Sequence, residues 1–195
     1  MAYKVIRFRK YYDAIRSNQT FLKTSSKNKS KILFNIIKFL NNKGKVTINN
    51  KPVVAQIEPT SECNLDCEMC IRKKIGVPIG TISFEDFKSI LDKLDSLFKI
   101  HLSGQGEPFL NKNIFEMIKY ANKKGILINI SSNGTLFTNN IIDKICASDI
   151  GEIAVSLDSV NKKNYEKIRK GAKFEKVLEN IRKLNIELKK RNKKT

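Results

Sequence analysis

Apolar positions in the second half of the chain switch regularly between two spacings. Ser83 stands before Phe84, Phe87, Ile90, Leu91, Leu94 and Leu97, which fall on one helical face behind Glu85 and Asp86. A short apolar run at Lys99–Leu102 predicts a strand, and Ile114, Phe115, Met117, Ile118 and Ala121 predict a helix stopping near Gly125. The run ILINI predicts another strand, Ile141, Ile142 and Ile145 another helix, and EIAVSL a further strand. Helical sequence follows around Tyr165 and Ile168, and Phe174, Val177, Leu178, Ile181, Leu184 and Leu188 predict a long last helix. With the run from Val53 to Ile57, this makes four strand–helix units. Such alternation predicts an α/β fold with a parallel sheet, because parallel neighbours need a crossover that a helix supplies. In such folds chemistry collects beyond the carboxyl ends of the strands.

Residues 1–50 read as a separate helical N-terminal extension, 51–188 as the core, and 189–195 as a basic tail. Ile32, Leu33, Ile36, Ile37 and Leu40 keep helical spacing, and Gly44 follows as a stop. Lys29, Lys31 and Lys38 flank that face, as in a membrane-surface helix, but packing against the core is the expected role. KVTI and PVVAQI, separated by Asn49, Asn50 and Lys51, predict a small hairpin leading into the core.

Composition narrows the function classes. The chain has 195 residues, 41% of them hydrophobic, enough for a domain with a real core. No run approaches the roughly 20 apolar residues of a membrane helix, and the N-terminus lacks a signal-peptide pattern. A cytoplasmic location is the expectation. The net charge of +19 admits polyanion binding, but it comes from lysines interleaved along the whole chain, without a nucleic-acid module. Nucleic acid is therefore the weaker partner reading.

The cysteines change the picture most. Cys63, Cys67 and Cys70 form C-x3-C-x2-C directly after the first strand, too close together for a useful disulfide framework. Three thiolates on one loop suit three corners of a 4Fe–4S cluster and leave one iron for another ligand. Zinc held by the same three cysteines and His101 is the rival, disfavoured because structural zinc sites usually come as two paired knuckles. His101, the single histidine, reads as a core residue, and Cys146 as a buried structural thiol.

Three more polar segments, SGQGEP, SSNGT and SLDS, each follow a predicted strand. CNLDCEMC and these segments, with Tyr165 and Arg169 spaced Tyr-x3-Arg and the run FEKVLENIRKL, resemble the radical SAM superfamily over residues 53–182. The resemblance implies a partial, four-unit βα barrel of TIM type, two units short of the family's usual six. Unpaired sheet edges are expected to follow. It further implies S-adenosylmethionine (SAM) on the fourth iron, its reductive cleavage to a 5′-deoxyadenosyl radical, and hydrogen abstraction from a substrate. A peptide or protein substrate and a reducing partner such as flavodoxin or ferredoxin are the implied partners. The expected metal ligands are Cys63, Cys67 and Cys70. Gly104, Gly106, Glu107, Pro108, Ser132, Asn133, Ser156, Asp158 and Arg169 are the expected cofactor contacts. Each has a plainer reading: the glycines as a tight turn, Glu107 as a solvated carboxylate, Ser132 and Asn133 as caps of the next helix, and Arg169 as a surface ion-pair partner of a glutamate. Met69 stands where many family members place an aromatic. A truncated or split, non-catalytic fragment is the alternative to an enzyme.

Overall fold

The computed structural model describes residues 26–42, 44–47, 50–76 and 78–193. The expected extension before Ser26 and the last two residues of the basic tail lie outside them. Four parallel strands, β1 (Val54–Ile57), β2 (Lys99–Leu102), β3 (Leu127–Ser132) and β4 (Ile150–Val155), pair in sequence order in a single sheet. Helices α1 (Ser26–Asn42), α2 (Ile71–Lys74), α3 (Phe84–Lys93), α4 (Ile114–Lys123), α5 (Asn139–Ala147), α6 (Lys162–Ile168) and α7 (Phe174–Lys190) complete the described elements, with a 3-10 turn at Pro108–Leu110. The four-unit parallel fold expected from the pattern is present.

Helix starts follow their capping residues. Ser83 Oγ accepts from Asp86 N at 3.0 Å, Thr138 Oγ1 from Ile141 N at 3.3 Å and Asn161 Oδ1 from Asn164 N at 3.1 Å. Gly125, at φ 76°, ends α4 where the pattern predicts. Strand side chains alternate between faces. Ile57, Ile100, Leu102, Ile128, Ile130 and Ile150 face the helices, packing on Phe87 and Leu91 of α3, Met117 and Ile118 of α4, Ile142 and Ile145 of α5, and Leu184 of α7. Cys146 is buried in that core, as expected.

The opposite face is polar. Gln56, His101, Asn129 and Glu152 share one cross-strand row, and Asn129 Nδ2 donates to Glu152 Oε2 at 2.7 Å. His101 is therefore not a core residue. Ile100 and Leu102 take the helix side of β2, so the pleat turns His101 to the other face, where it is half-buried. Burial and the Lys99 charge hold its imidazole below the usual histidine range, opposed by Glu152.

Helix α1 docks on the core, as expected. Ile32 and Ile36 pack with Val53, Phe98 and Leu127, residues at the amino-terminal ends of the strands. Burying each isoleucine contributes about 1.5–3 kcal/mol. Asn35 brackets the Lys51 backbone, donating from Nδ2 to its carbonyl at 2.9 Å and accepting its N–H at 3.0 Å. The predicted hairpin is absent among the described residues. Lys45, Val46 and Thr47 are not strand, and Val46 is fully exposed, so that run has no face to bury.

Candidate functional site

The loop after β1 carries the three cysteines beyond the carboxyl ends of the strands. Each half-buried thiol is free of any disulfide, and Cys70 N donates to Cys67 O at 3.0 Å, which turns the loop so that the cysteines follow one another closely. Burial raises the Cys67 thiol above its ordinary range, Arg169 opposes, and Cys63 and Cys70 are near enough to add to the rise. Among the described residues no three Cys, His, Asp or Glu side chains converge on a single-ion site. His101, the fourth ligand of the zinc reading, stands on the sheet face between Gln56 and Asn129. A cluster differs from a single ion in placing each thiolate on a different iron.

The segments after β2 and β3 and the end of α6 grip this cysteine loop. From the β2 end, Glu107 N donates to Glu62 O at 2.8 Å. A β-carbon on Gly106 would fall 2.1 Å from Thr60 O and 2.4 Å from Glu62 O, so this glycine lets two backbones touch. Gly104 likewise makes room for Glu58, whose Oε1 accepts the Gln105 N–H.

Glu107 is not a solvated loop carboxylate: it is 2% exposed. It accepts from Ser132 Oγ at 2.9 Å, Asn133 N at 2.8 Å and Phe109 N at 3.3 Å. Burial nevertheless holds its carboxyl above the usual glutamate range, because those bonds and Arg169 offset only part of the desolvation. Pro108 opens the 3-10 turn that Glu107 caps.

From the β3 end, Asn133 Nδ2 donates to Asn64 Oδ1 at 2.9 Å and lies 4.0 Å from Cys63 Sγ. Asn64 Nδ2 in turn donates to Thr135 Oγ1 at 2.8 Å. Ser132 and Asn133 do not cap α5. Thr138 stands next to that helix and does so, leaving Ser132 to accept from Gly134 N at 3.0 Å and Asn133 from Thr135 N at 2.9 Å.

From the β4 side, Asp66 N donates to Lys170 O at 2.9 Å and Glu68 N to Ile168 O at 2.8 Å. Arg169, between those carbonyls, pairs through Nε with Asp158 and places Nη1 3.9 Å from Cys67 Sγ. Its ion-pair partner is thus an aspartate facing the cysteine loop, not a surface glutamate. Ser156 continues the sheet, its N–H donating to Ser132 O at 2.9 Å.

Sequence reasoning missed Glu58, Asn64 and Thr135. The available signals were a carboxylate directly after β1 and an amide directly after the first cysteine.

Fold and site define a parallel βα protein with a three-thiol loop at its strand ends. Residues 57–190 match the family model of the radical SAM superfamily, and the chain belongs to that superfamily. The family's cofactors are a 4Fe–4S cluster and SAM.

The chain is 31% identical over 127 residues to an AdoMet-dependent heme synthase of Methanosarcina barkeri, covering 64% of this chain and 36% of that protein. It is 28% identical over 135 residues to a mycofactocin maturase of Mycolicibacterium smegmatis, covering 67% of this chain and 34% of that protein. The crystal structure of Streptococcus suis SuiB bound to its precursor peptide SuiA superposes with TM-score 0.61 at 20% identity, over 84% of this chain and 37% of that one. The chain thus spans about a third of the length of the curated relatives it matches. No helix of the described residues is long and apolar enough to cross a membrane.

Proposed function

We propose that this chain binds a 4Fe–4S cluster through Cys63, Cys67 and Cys70 and presents the remaining iron to SAM. The supporting observation is the convergence of the β2 and β3 strand ends and the end of α6 on the cysteine loop, which holds the loop while leaving the thiols half-buried. When bound, the cofactors supply reductive cleavage of the sulfonium bond, giving a radical that abstracts hydrogen from a substrate. The backbone around Gly104 and Gly106, with Pro108, Ser132, Asn133, Ser156, Asp158 and Arg169, borders the cofactor side of the loop. Glu107 lies beneath it and holds the β3 segment in place.

The substrate reading is a peptide or protein. SuiB, a fold neighbour, is bound to a precursor peptide in its crystal structure. Here Met69, between the last two cysteines, and Ile71, Ile75 and Ile79 after them are exposed apolar side chains, a surface suited to a macromolecular substrate. A low-potential one-electron donor of the flavodoxin or ferredoxin kind completes the reaction.

A second reading, a fragment that holds cofactor but needs further polypeptide to react, is favoured by the sheet itself. Among the described residues β1 and β4 are edge strands, and Gly151, Glu152 and Ala154 of β4 are exposed.

Anaerobic reconstitution tests both. Four irons per chain, with 5′-deoxyadenosine released under dithionite, are expected of an enzyme. Iron without nucleoside release would mark a fragment. A chain that takes up no iron, or a Cys63, Cys67 and Cys70 triple serine variant that takes up as much as the wild type, would refute cluster binding.

A further inference from the structure

The sheet face turned away from the helices carries an ordered polar row that neither the core nor the cysteine loop uses. Gln56, His101, Asn129 and Glu152 stand side by side from β1 to β4. Asn129 is 4% exposed, and its Nδ2 donates to Glu152 Oε2 at 2.7 Å, so a buried amide orients an exposed carboxylate. Glu152 has no ion-pair partner among the described residues, although the chain has 38 Lys and Arg against 19 Asp and Glu. Lys99, a cation on the same face, sits one row nearer α1, level with Val54 and Leu127, and forms no ion pair with it.

The two ends of this face differ. Helix α1 packs across the amino-terminal ends of the strands, onto Val53, Phe98 and Leu127. Toward the cysteine loop the next row is small: Ser131 of β3 pairs with Ala154 of β4, and both are exposed. One row is roughly 7 Å along a strand, the reach of a long side chain. Asn133 follows Ser131 by two residues and lies 4.0 Å from Cys63 Sγ. Along β3 and β4 the face thus runs from beside the thiols to Glu152 with only Ser131 and Ala154 between.

We propose that this row determines substrate specificity, with Glu152, held by Asn129, taking the protonated amine or guanidinium at the end of a substrate side chain. This rests on the peptide reading above and names what that peptide carries. The groups the row leaves free are acceptors: the second Glu152 oxygen, Gln56 Oε1 and a ring nitrogen of His101, whose imidazole is kept neutral by burial and by Lys99. A carboxylate with such neighbours binds a charged donor more strongly than a neutral one. A cation anchored there holds its own stem over Ser131 and Ala154, on the way to the cysteine loop, and so sets which substrate atoms lie nearest the cofactors.

The test is a titration of the anaerobically reconstituted full chain, with SAM present, against two capped tripeptides. One has lysine between two glycines, the other norleucine in place of the lysine, and nuclear magnetic resonance of the Asn129 side-chain amide follows binding. The lysine peptide is expected to bind about fivefold more tightly, the upper range for an ion pair open to water. Glu152→Gln should remove that preference, and Glu152→Lys should reverse it in favour of a glutamate peptide. Glu116→Gln changes the net charge as much as Glu152→Gln does, at an exposed position of α4, and should keep the preference. Equal affinity of the wild type for both peptides, or a preference that survives Glu152→Gln, would overturn the proposal while leaving cluster binding intact. A wild-type chain that takes up no iron would overturn the cluster reading and, with it, the assignment of this row to a substrate.

Discussion

Replacing Gly106 with alanine isolates the contact on which the site's geometry depends. The new methyl would sit 2.1 Å from Thr60 O, 2.4 Å from Glu62 O and 2.8 Å from Ser61 C, all backbone atoms that no rotamer change can clear. Gly106 is absent from the positive-φ glycines, so the cost is steric, with no strain from a left-handed conformation. The cysteine loop cannot retreat freely. Thr60 Oγ1 is bonded to Gly80 O at 3.1 Å, and Pro59 O accepts from Asn111 Nδ2 at 2.8 Å. Overpacking of this kind costs about 1–3 kcal/mol. Separating the loops also breaks the bond from Glu107 N to Glu62 O, worth about 1 kcal/mol. The sum, about 3 kcal/mol, corresponds to a melting temperature lower by roughly 6–12 °C for a chain of this size. Thermal unfolding followed by circular dichroism measures it, with Gly80→Ala as control, because a β-carbon there meets nothing within 4 Å. Melting of Gly106→Ala within about 2 °C of the wild type would refute the claim that this glycine holds the two loops together.

Two further perturbations probe separate parts of the structure. Because burial holds the folded Glu107 carboxyl above its unfolded range, the folded state keeps its proton to higher pH. Stability contributed by this group is therefore greatest below the ordinary glutamate range and is lost as pH rises through the raised value. Urea titrations from acid to neutral pH should show the wild type losing stability relative to Glu107→Gln as pH rises, and a constant difference would refute the assignment. Asn35→Ala removes both bonds to the Lys51 backbone and should destabilise by about 2 kcal/mol, read as a lower urea midpoint. An unchanged midpoint would mean that α1 is held by Ile32 and Ile36 alone.

The strand–helix alternation, the Ser83 cap and the parallel order were legible because period, capping residue and crossover length are local signals, whereas the cap of α5 was misplaced on Ser132 and Asn133 instead of Thr138. The hairpin before β1 was not, because alternation in KVTI carries no information about whether a face exists to cover it. His101 shows the same limit in reverse. A single polar residue between Ile100 and Leu102 reads as buried from hydropathy, but the pleat sends it to the uncovered side. For the site, the cysteine spacing was sufficient to find the loop. The bonds that join Glu107 to Ser132 and Asn133, Asn133 to Asn64 and Arg169 to Cys67 span 25, 26, 69 and 102 residues, and no local pattern encodes them.

Those partners alter what the strand-end segments mean. Residues that resemble cofactor contacts are first part of the means by which the fold holds the cysteine loop: Glu107 N on Glu62 and Asn133 on Asn64 from the ends of β2 and β3, joined by the carbonyls of Ile168 and Lys170 at the end of α6 on Glu68 and Asp66. The first two sit at strand ends, where they reach a loop that leaves the sheet beside them. Fixing that loop from one side is a structural task that any bound cofactor would require. The same residues are therefore constrained twice, by the backbone they hold and by the ligand they border. A substitution that leaves the backbone contacts intact and changes only a side chain bordering the ligand separates the two constraints, whereas Gly106→Ala disrupts the first and with it the second.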